Sequence, residues 1–199
     1  EGAPVNLEPS DEQVALRDTV RRCLATDATI AGHVRPIADG ATWSPDAAWK
    51  RLAELGATGL LVEEAHGGAG LGMREAAIVA EELGRALYPG PWLASAVAGA
   101  RALRACGGGE DLAAAVAAGA TTVAVALPGT DHLGQGRPAG FEVRDGRLHG
   151  SERHVLGAPL ADVVLVPAAA PGGGVELDAV EAGADGVRVE ADPALDRTV

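Results

Sequence analysis

The sequence predicts an α+β fold, in which an N-terminal all-α helical domain over residues 1–118 precedes an antiparallel, barrel- or sandwich-like β domain over residues 119–199. Apolar residues recur at helical spacing before residue 119, whereas short β-rich runs alternate with Gly and Pro after it. Because the helices come first and the strands second, this order favours segregated α and β domains over a parallel sheet wrapped by helices.

The first two helices are predicted from their start signals. Ser10 followed by Gln13 forms a capping-box pattern, and the apolar positions behind it predict an amphipathic helix over 11–25. Ser44-Pro45 predicts a second start, because Ser caps helices and Pro suits their first turn. Gly56 is placed to end that helix, since glycine readily adopts the left-handed conformation of a C-terminal cap.

A third helix is predicted over 73–88, with Leu87 on its buried face and Glu82 facing solvent. Adjacent side chains on a helix point about 100° apart, so Glu81 and Glu82 are not expected to share one site. One of them is expected to be solvated and the other to pair with Arg85 on the helix surface. Two Ala-rich helices follow, over 92–106 and 110–118.

The β domain is predicted to begin with a strand over 121–127. Asp145-Gly146 lies between two short β-rich runs and is a strong signal for a tight hairpin turn. Further strands are predicted over 161–166, 175–177 and 187–190.

Charge and composition disfavour several function classes. The net charge is -12 and the pI is about 4.7, so nucleic-acid binding is not expected. No stretch of about 20 residues is free of Gly, Pro and charge, so no membrane span is expected. Cys23 and Cys106 favour reduced core thiols in a cytoplasmic protein over the alternative of a disulfide.

Only 3% of the residues are aromatic, so the core is expected to be completed by more chain, another subunit or a cofactor.

The glycine-rich loop at 66–72 is expected to be a tight turn between helices. A dinucleotide-binding loop that starts at Gly68 and Gly70 needs a third glycine at position 73, which is Met73. The five histidines are scattered without a Cys or carboxylate in ligand spacing, so no metal site is predicted. The three tryptophans are expected to fill the core rather than line a ligand pocket. They are Trp43, Trp49 and Trp92.

Six segments together carry a resemblance to a known family, and they occur in the family's order along the chain. They are 10–18, 49–62, 63–71, 79–85, 148–151 and 158–166. On these segments the chain resembles the acyl-CoA dehydrogenases.

The resemblance implies a helical domain, a middle β domain that is incomplete here, and a further C-terminal helical domain. That last domain usually carries the catalytic base, so no catalytic residue is assigned to this chain. The implied reaction is α,β-desaturation of an acyl-CoA thioester, with FAD as the hydride acceptor and an electron-acceptor flavoprotein as a partner. The resemblance also implies a homo- or hetero-oligomer.

Seven residues match positions that meet the flavin in the family. They are Val125, Ala126, Leu127, Thr130, His154, Val155 and Leu156. Family members commonly carry hydroxyl side chains where this chain has Ala126 and Leu156, and neither residue offers a hydrogen bond. The FAD site is therefore expected to be degenerate.

Two alternatives to a FAD-binding dehydrogenase stay open. The first is a non-catalytic or half-site subunit of a heteromeric acyl-CoA dehydrogenase. The second is a related flavin oxidase or monooxygenase on the same fold.

Overall fold

The computed structural model describes residues 8–127, 140–169 and 174–191. The helical elements are α1 (Asp11–Asp27), a π-helix (Ile30–Val34), α2 (Arg35–Ala38), α3 (Ala47–Glu54), a 3₁₀ turn (Glu64–His66), α4 (Met73–Ala86), a second π-helix (Leu93–Gly99), α5 (Ala100–Cys106) and α6 (Glu110–Ala117). The strands are β1 (Val123–Val125), β2 (Phe141–Arg144), β3 (Arg147–Gly150), β4 (Val163–Ala169) and β5 (Val175–Glu181), with a 3₁₀ turn (Ala158–Leu160) before β4.

The predicted capping box begins α1. The Ser10 hydroxyl accepts from the Gln13 backbone N–H, while the Gln13 side-chain oxygen accepts from the Ser10 N–H. Gln13 Nε2 also donates to Glu75 Oε1 over 2.7 Å, which joins the first turns of α1 and α4. The helix start that the sequence predicts therefore also fixes a tertiary contact.

The predicted start of the second helix is wrong by two residues. Asp46, not Ser44, caps α3, because its Oδ1 accepts from the Trp49 backbone N–H over 2.8 Å. Gly56 follows the last turn with φ +74°, as predicted for a residue that ends a helix.

The buried face of α4 differs from the prediction at two positions. Leu87 adopts a left-handed backbone after the last turn and is 57% exposed. Glu82, which was predicted to face solvent, is only 1% exposed. The helix ends before Leu87 can join the apolar face, and a tertiary ion pair holds Glu82 inside.

The core is built around tryptophan, as predicted. Trp49 is 1% exposed, and its Nε1 donates to the Gly119 carbonyl over 2.9 Å. Trp92 is similarly buried and donates to the Ala57 carbonyl over 2.8 Å. Trp43 packs edge-on against Trp49 with 5.6 Å between ring centroids. Each buried indole fills space between small helical residues.

The sheet confirms the α+β fold class but corrects the pairing predicted for the β domain. β4 lies at its centre and pairs in parallel with both β1 and β2, so the sheet is mixed rather than antiparallel. The antiparallel pairs are β2 with β3 and β4 with β5. Parallel pairing arises because long connections separate β1 and β2 from β4 along the chain.

Two other strand predictions have opposite outcomes. Asp145 and Gly146 both have positive φ, at 50° and 70°, and form the predicted two-residue turn between β2 and β3. The strand predicted over 187–190 is wrong, because this segment is irregular and pairs with no strand that the structure describes.

The main apolar core extends from the helices into the sheet. It includes Val123 and Val125 of β1 and Leu165 of β4. The boundary between residues 118 and 119 stays a prediction. Cys23 and Cys106 are both free thiols; Cys23 is buried, but Cys106 is exposed, so the prediction of a core thiol is wrong there.

Candidate functional site

Two chain segments with the predicted cofactor-binding residues approach each other beside β4. The segment 125–127 spans the last residue of β1 and the two that follow, and 154–156 precedes the 3₁₀ turn before β4. Ala126 and Val155 pack in one small apolar cluster with Val164 and Val166 of β4. We call segments 125–127 and 154–156 together the apolar edge. Thr130 lies outside the described residues.

Two backbone donors of the apolar edge, on the segment 125–127, are already bonded within the chain. The Ala126 N–H donates to the Leu165 carbonyl over 2.9 Å, as an extension of the β1–β4 pairing. The Leu127 N–H turns back to the Val125 carbonyl, also over 2.9 Å. Neither N–H is therefore available to a flavin ring in this conformation.

The side chains of the apolar edge supply no hydroxyl in their place. Ala126 is buried, whereas Leu127 is 62% exposed and Leu156 is 49% exposed. His154 is exposed and has a left-handed backbone with φ +59°, which is uncommon for a residue other than glycine. The described residues therefore do not fit the polar contacts that the family resemblance implies for FAD.

Two polar contacts that the sequence patterns did not predict hold β1 in place. Asp162 Oδ2 accepts from both the N–H and the hydroxyl of Thr122, over 2.8 and 2.9 Å. The Ser95 hydroxyl, on the second π-helix, accepts from the Val123 N–H over 3.1 Å. The only sequence signal for Ser95 is a hydroxyl within an otherwise apolar, Ala-rich helix.

The glycine-rich loop is a tight turn, as predicted. Its N–H groups donate back to the chain, for example from Gly70 to the Val62 carbonyl and from Leu71 to the Leu60 carbonyl, each over 2.8 Å. A Cβ at Gly68 would overlap the Val62 carbonyl, so only glycine fits at that position. The loop packs against 59–62 and leaves no cradle of N–H groups for a phosphate.

An ion pair between the half-exposed Arg21 and the buried Glu82 joins α1 to α4. Arg21 donates from Nε and Nη2 to the two oxygens of Glu82, over 2.8 and 2.6 Å. Arg85 Nε lies 3.6 Å from Glu82, which confirms the predicted pairing of these two residues. The group lines a cavity of about 260 Å³ between the C-terminal ends of the two helices, with Leu24 and Ile30 among its apolar walls.

The Arg21–Glu82 pair predicts a loss of stability in acid. Its hydrogen bonds hold the pKa of Glu82 below the ordinary value of 4.5. Because the pKa is lower in the folded state, the stabilisation is complete above about pH 4.5 and is lost as the pH falls through the folded-state pKa. The free energy of unfolding, measured in urea, is expected to fall more steeply between pH 6 and pH 3 in the wild type than in Glu82→Gln. Equal pH slopes would contradict this assignment.

Two site classes are not found in the part of the chain that the structure describes. No group of three or more His, Cys, Asp or Glu side chains is arranged to hold a metal ion among residues 8–127, 140–169 and 174–191. No helix within those ranges is long and apolar enough to cross a bilayer.

Comparison with known proteins gives one family. Residues 10–112 match the model of the acyl-CoA dehydrogenase N-terminal domain, which is just over half of the chain. A curated relative, acyl-CoA dehydrogenase IpdE2 of Mycobacterium tuberculosis, is 38% identical over 98 residues, which is 46% of this chain and 29% of that protein.

The fold is also that of solved structures, one of them described as a complex and another named after two proteins. The ChsE4–ChsE5 complex of Mycobacterium tuberculosis contains a chain that is 27% identical with a TM-score of 0.78, covering 94% of this chain and 51% of that one. The Tcur3481–Tcur3483 steroid acyl-CoA dehydrogenase, as a G363A variant, gives 31% identity and a TM-score of 0.73, over 88% and 49% of the two chains. This chain therefore spans about half the length of these relatives or less. From the residues matched and the shared fold, the chain belongs to the acyl-CoA dehydrogenase family.

Proposed function

We propose that the full-length protein is a half-site subunit of a heteromeric acyl-CoA dehydrogenase, and that it binds FAD weakly without its partner. The observation that carries this proposal is the apolar edge, where the N–H groups of Ala126 and Leu127 are bonded internally. Ala126 and Leu156 add no hydroxyl donor. A flavin that loses such partners forfeits about 1–3 kcal/mol for each unsatisfied polar group.

The two complexes described above support a heteromer. ChsE4–ChsE5 and Tcur3481–Tcur3483 each name two proteins, and this chain has more than 25% sequence identity with a chain of each. A subunit with a degenerate cofactor edge is useful in such an assembly, because a partner with an intact edge can hold the flavin. The acyl group is proposed to be bulky, as in the steroid substrate class that the Tcur3481–Tcur3483 name states.

The proposed reaction of the assembled complex is the α,β-desaturation of an acyl-CoA thioester with FAD. No described residue of this chain is assigned a chemical step in it. The contribution of the chain is structural at the apolar edge, where Leu127 and Leu156 present apolar surface. Transfer of the electrons to an acceptor flavoprotein also belongs to this proposal.

The proposal is tested by flavin content. The full-length protein is expressed alone and together with a homologous subunit that carries hydroxyl residues at the positions of Ala126 and Leu156. After dialysis, the protein expressed alone is expected to be colourless, and the complex is expected to keep its flavin absorption and to oxidise a steroid-type acyl-CoA. A protein that retains one FAD per chain without any partner would refute the proposal.

The same preparations address the flavin oxidase or monooxygenase alternative. Oxygen consumption by the complex with acyl-CoA and no added electron acceptor would favour that alternative. Desaturation that depends on an added acceptor would favour the dehydrogenase.

A further inference from the structure

We infer that Ser95 is a positioning residue, which sets where the apolar edge stands relative to the helices. The inference deepens the proposed function, on which it rests in one respect: the apolar edge is taken to face the shared cofactor site of the heteromer. The observations that carry it are the contacts of one π-helical turn, Leu93–Gly99, with residues that flank the two segments of that edge, Val123 and Gly157.

The π-helix brings the Ser95 hydroxyl to the side of β1 that does not pair with β4. Among the described residues β1 pairs with β4 alone, along one side, so the Val123 N–H on its other side needs an acceptor. Ser95 is 1% exposed and supplies that acceptor over 3.1 Å. π-Helical turns are rare, and they are frequent at functional sites, where they redirect a side chain.

The same turn also lies close to Gly157, the residue that follows the second segment of the apolar edge. Gly99 lies so close to β1 that a Cβ there would overlap the Val123 side chain. A Cβ at Gly157, the residue after Leu156, would stand 2.7 Å from the Ala94 Cβ. The π-helix therefore contacts Val123, two residues before the first segment begins, and Gly157, one residue after the second segment ends.

β1 is so short that these contacts fix its position and that of the residues that follow it. It contains three residues, and the Thr122–Asp162 contact fixes its start against β4. Ser95 fixes the next residue from the opposite side. With both sides held, the chain reaches Ala126 and Leu127 in one defined position.

The test compares two buried hydroxyls in the full-length protein, in complex with its partner. Ser95→Ala removes the bond to β1, whereas the matched control Thr58→Ala removes an equally buried hydroxyl that donates to the Ala117 carbonyl over 2.7 Å. Hydrogen exchange is measured for peptides that cover 122–127 and α4. Ser95→Ala is expected to speed exchange of 122–127 relative to α4 by about fivefold or more, and Thr58→Ala by less than about twofold.

A second pair of variants keeps the inference testable if Ser95→Ala does not fold. Gly99→Ala pushes a methyl group into Val123, and Gly99→Ala with Val123→Ala restores the space. Exchange at 122–127 is expected to rise in the single variant and to return toward wild type in the double variant. Equal effects of Ser95→Ala and Thr58→Ala, or a double variant without relief, would overturn the inference.

Flavin retention of the same complexes separates this inference from the proposed function. Ser95→Ala is expected to loosen FAD more than Thr58→Ala does at equal thermal stability. If the wild-type complex holds no FAD, the proposed function fails. The exchange data, which need no flavin, then still decide whether Ser95 positions the apolar edge.

Discussion

Replacing Leu156 by threonine in the full-length protein is expected to strengthen FAD binding by about fivefold. The new hydroxyl stands at a position that is 49% exposed, so it can turn toward the flavin without being buried first. One added hydrogen bond contributes about 1 kcal/mol, which corresponds to roughly a fivefold change in affinity. The dissociation constant is measured by titrating the apoprotein with FAD and following flavin fluorescence.

Leu156→Val is the matched control, because valine has the shape of threonine without the hydroxyl. It is expected to leave the FAD affinity within about twofold of the wild type. Ala126→Thr is expected to behave differently from Leu156→Thr. Ala126 is 3% exposed and packs among apolar side chains. A threonine hydroxyl there would be buried, at a cost of about 1–3 kcal/mol of stability. Equal affinities for Leu156→Thr and Leu156→Val would show that residue 156 does not meet the flavin.

Replacing Glu82 by alanine is expected to lower the free energy of unfolding by about 2–3 kcal/mol, because the bidentate hydrogen bonds from Arg21 are lost inside the protein. Glu81→Ala, at the exposed neighbouring position of the same helix, is expected to change stability by less than about 0.5 kcal/mol. Both values are obtained from urea unfolding at pH 7.

Glu82→Gln separates charge from packing in this experiment. Glutamine has nearly the same volume and keeps one oxygen acceptor, so it is expected to lie between the wild type and Glu82→Ala in stability. If Glu81→Ala and Glu82→Ala were equally mild, the contact between α1 and α4 would not depend on the Arg21–Glu82 pair.

Local signals in the sequence predict elements well where the responsible atoms are neighbours along the chain. The Ser10 capping box, the Asp145-Gly146 turn and the glycine-rich loop are examples, because in each the partners lie within about ten residues. The order of helices before strands was also predicted correctly. The start of α3 was mispredicted by two residues, because Ser44 and Asp46 are both good caps and only the structure shows that Asp46 accepts from the Trp49 N–H.

For the candidate site, the sequence predicts which types of side chain are present but not how the backbone groups are bonded. The absence of hydroxyls at Ala126 and Leu156 is evident from the sequence. The bonding of the Ala126 N–H to Leu165 is not, because it depends on a parallel strand that lies about 40 residues further along the chain. The roles of Ser95 and Asp162 were missed for the same reason.

The sequence by itself determined the family, the order of helices before strands and the lack of hydroxyl donors at the apolar edge. Only the tertiary structure decided that Glu82 is buried, that the sheet is mixed and that the π-helix holds β1. The physical reason is the separation along the chain between a polar or apolar group and the partner that satisfies it. Caps, turns and apolar periodicity are satisfied by nearby residues, whereas a buried carboxylate or an unpaired strand edge is satisfied by a partner that the chain brings close only when it folds.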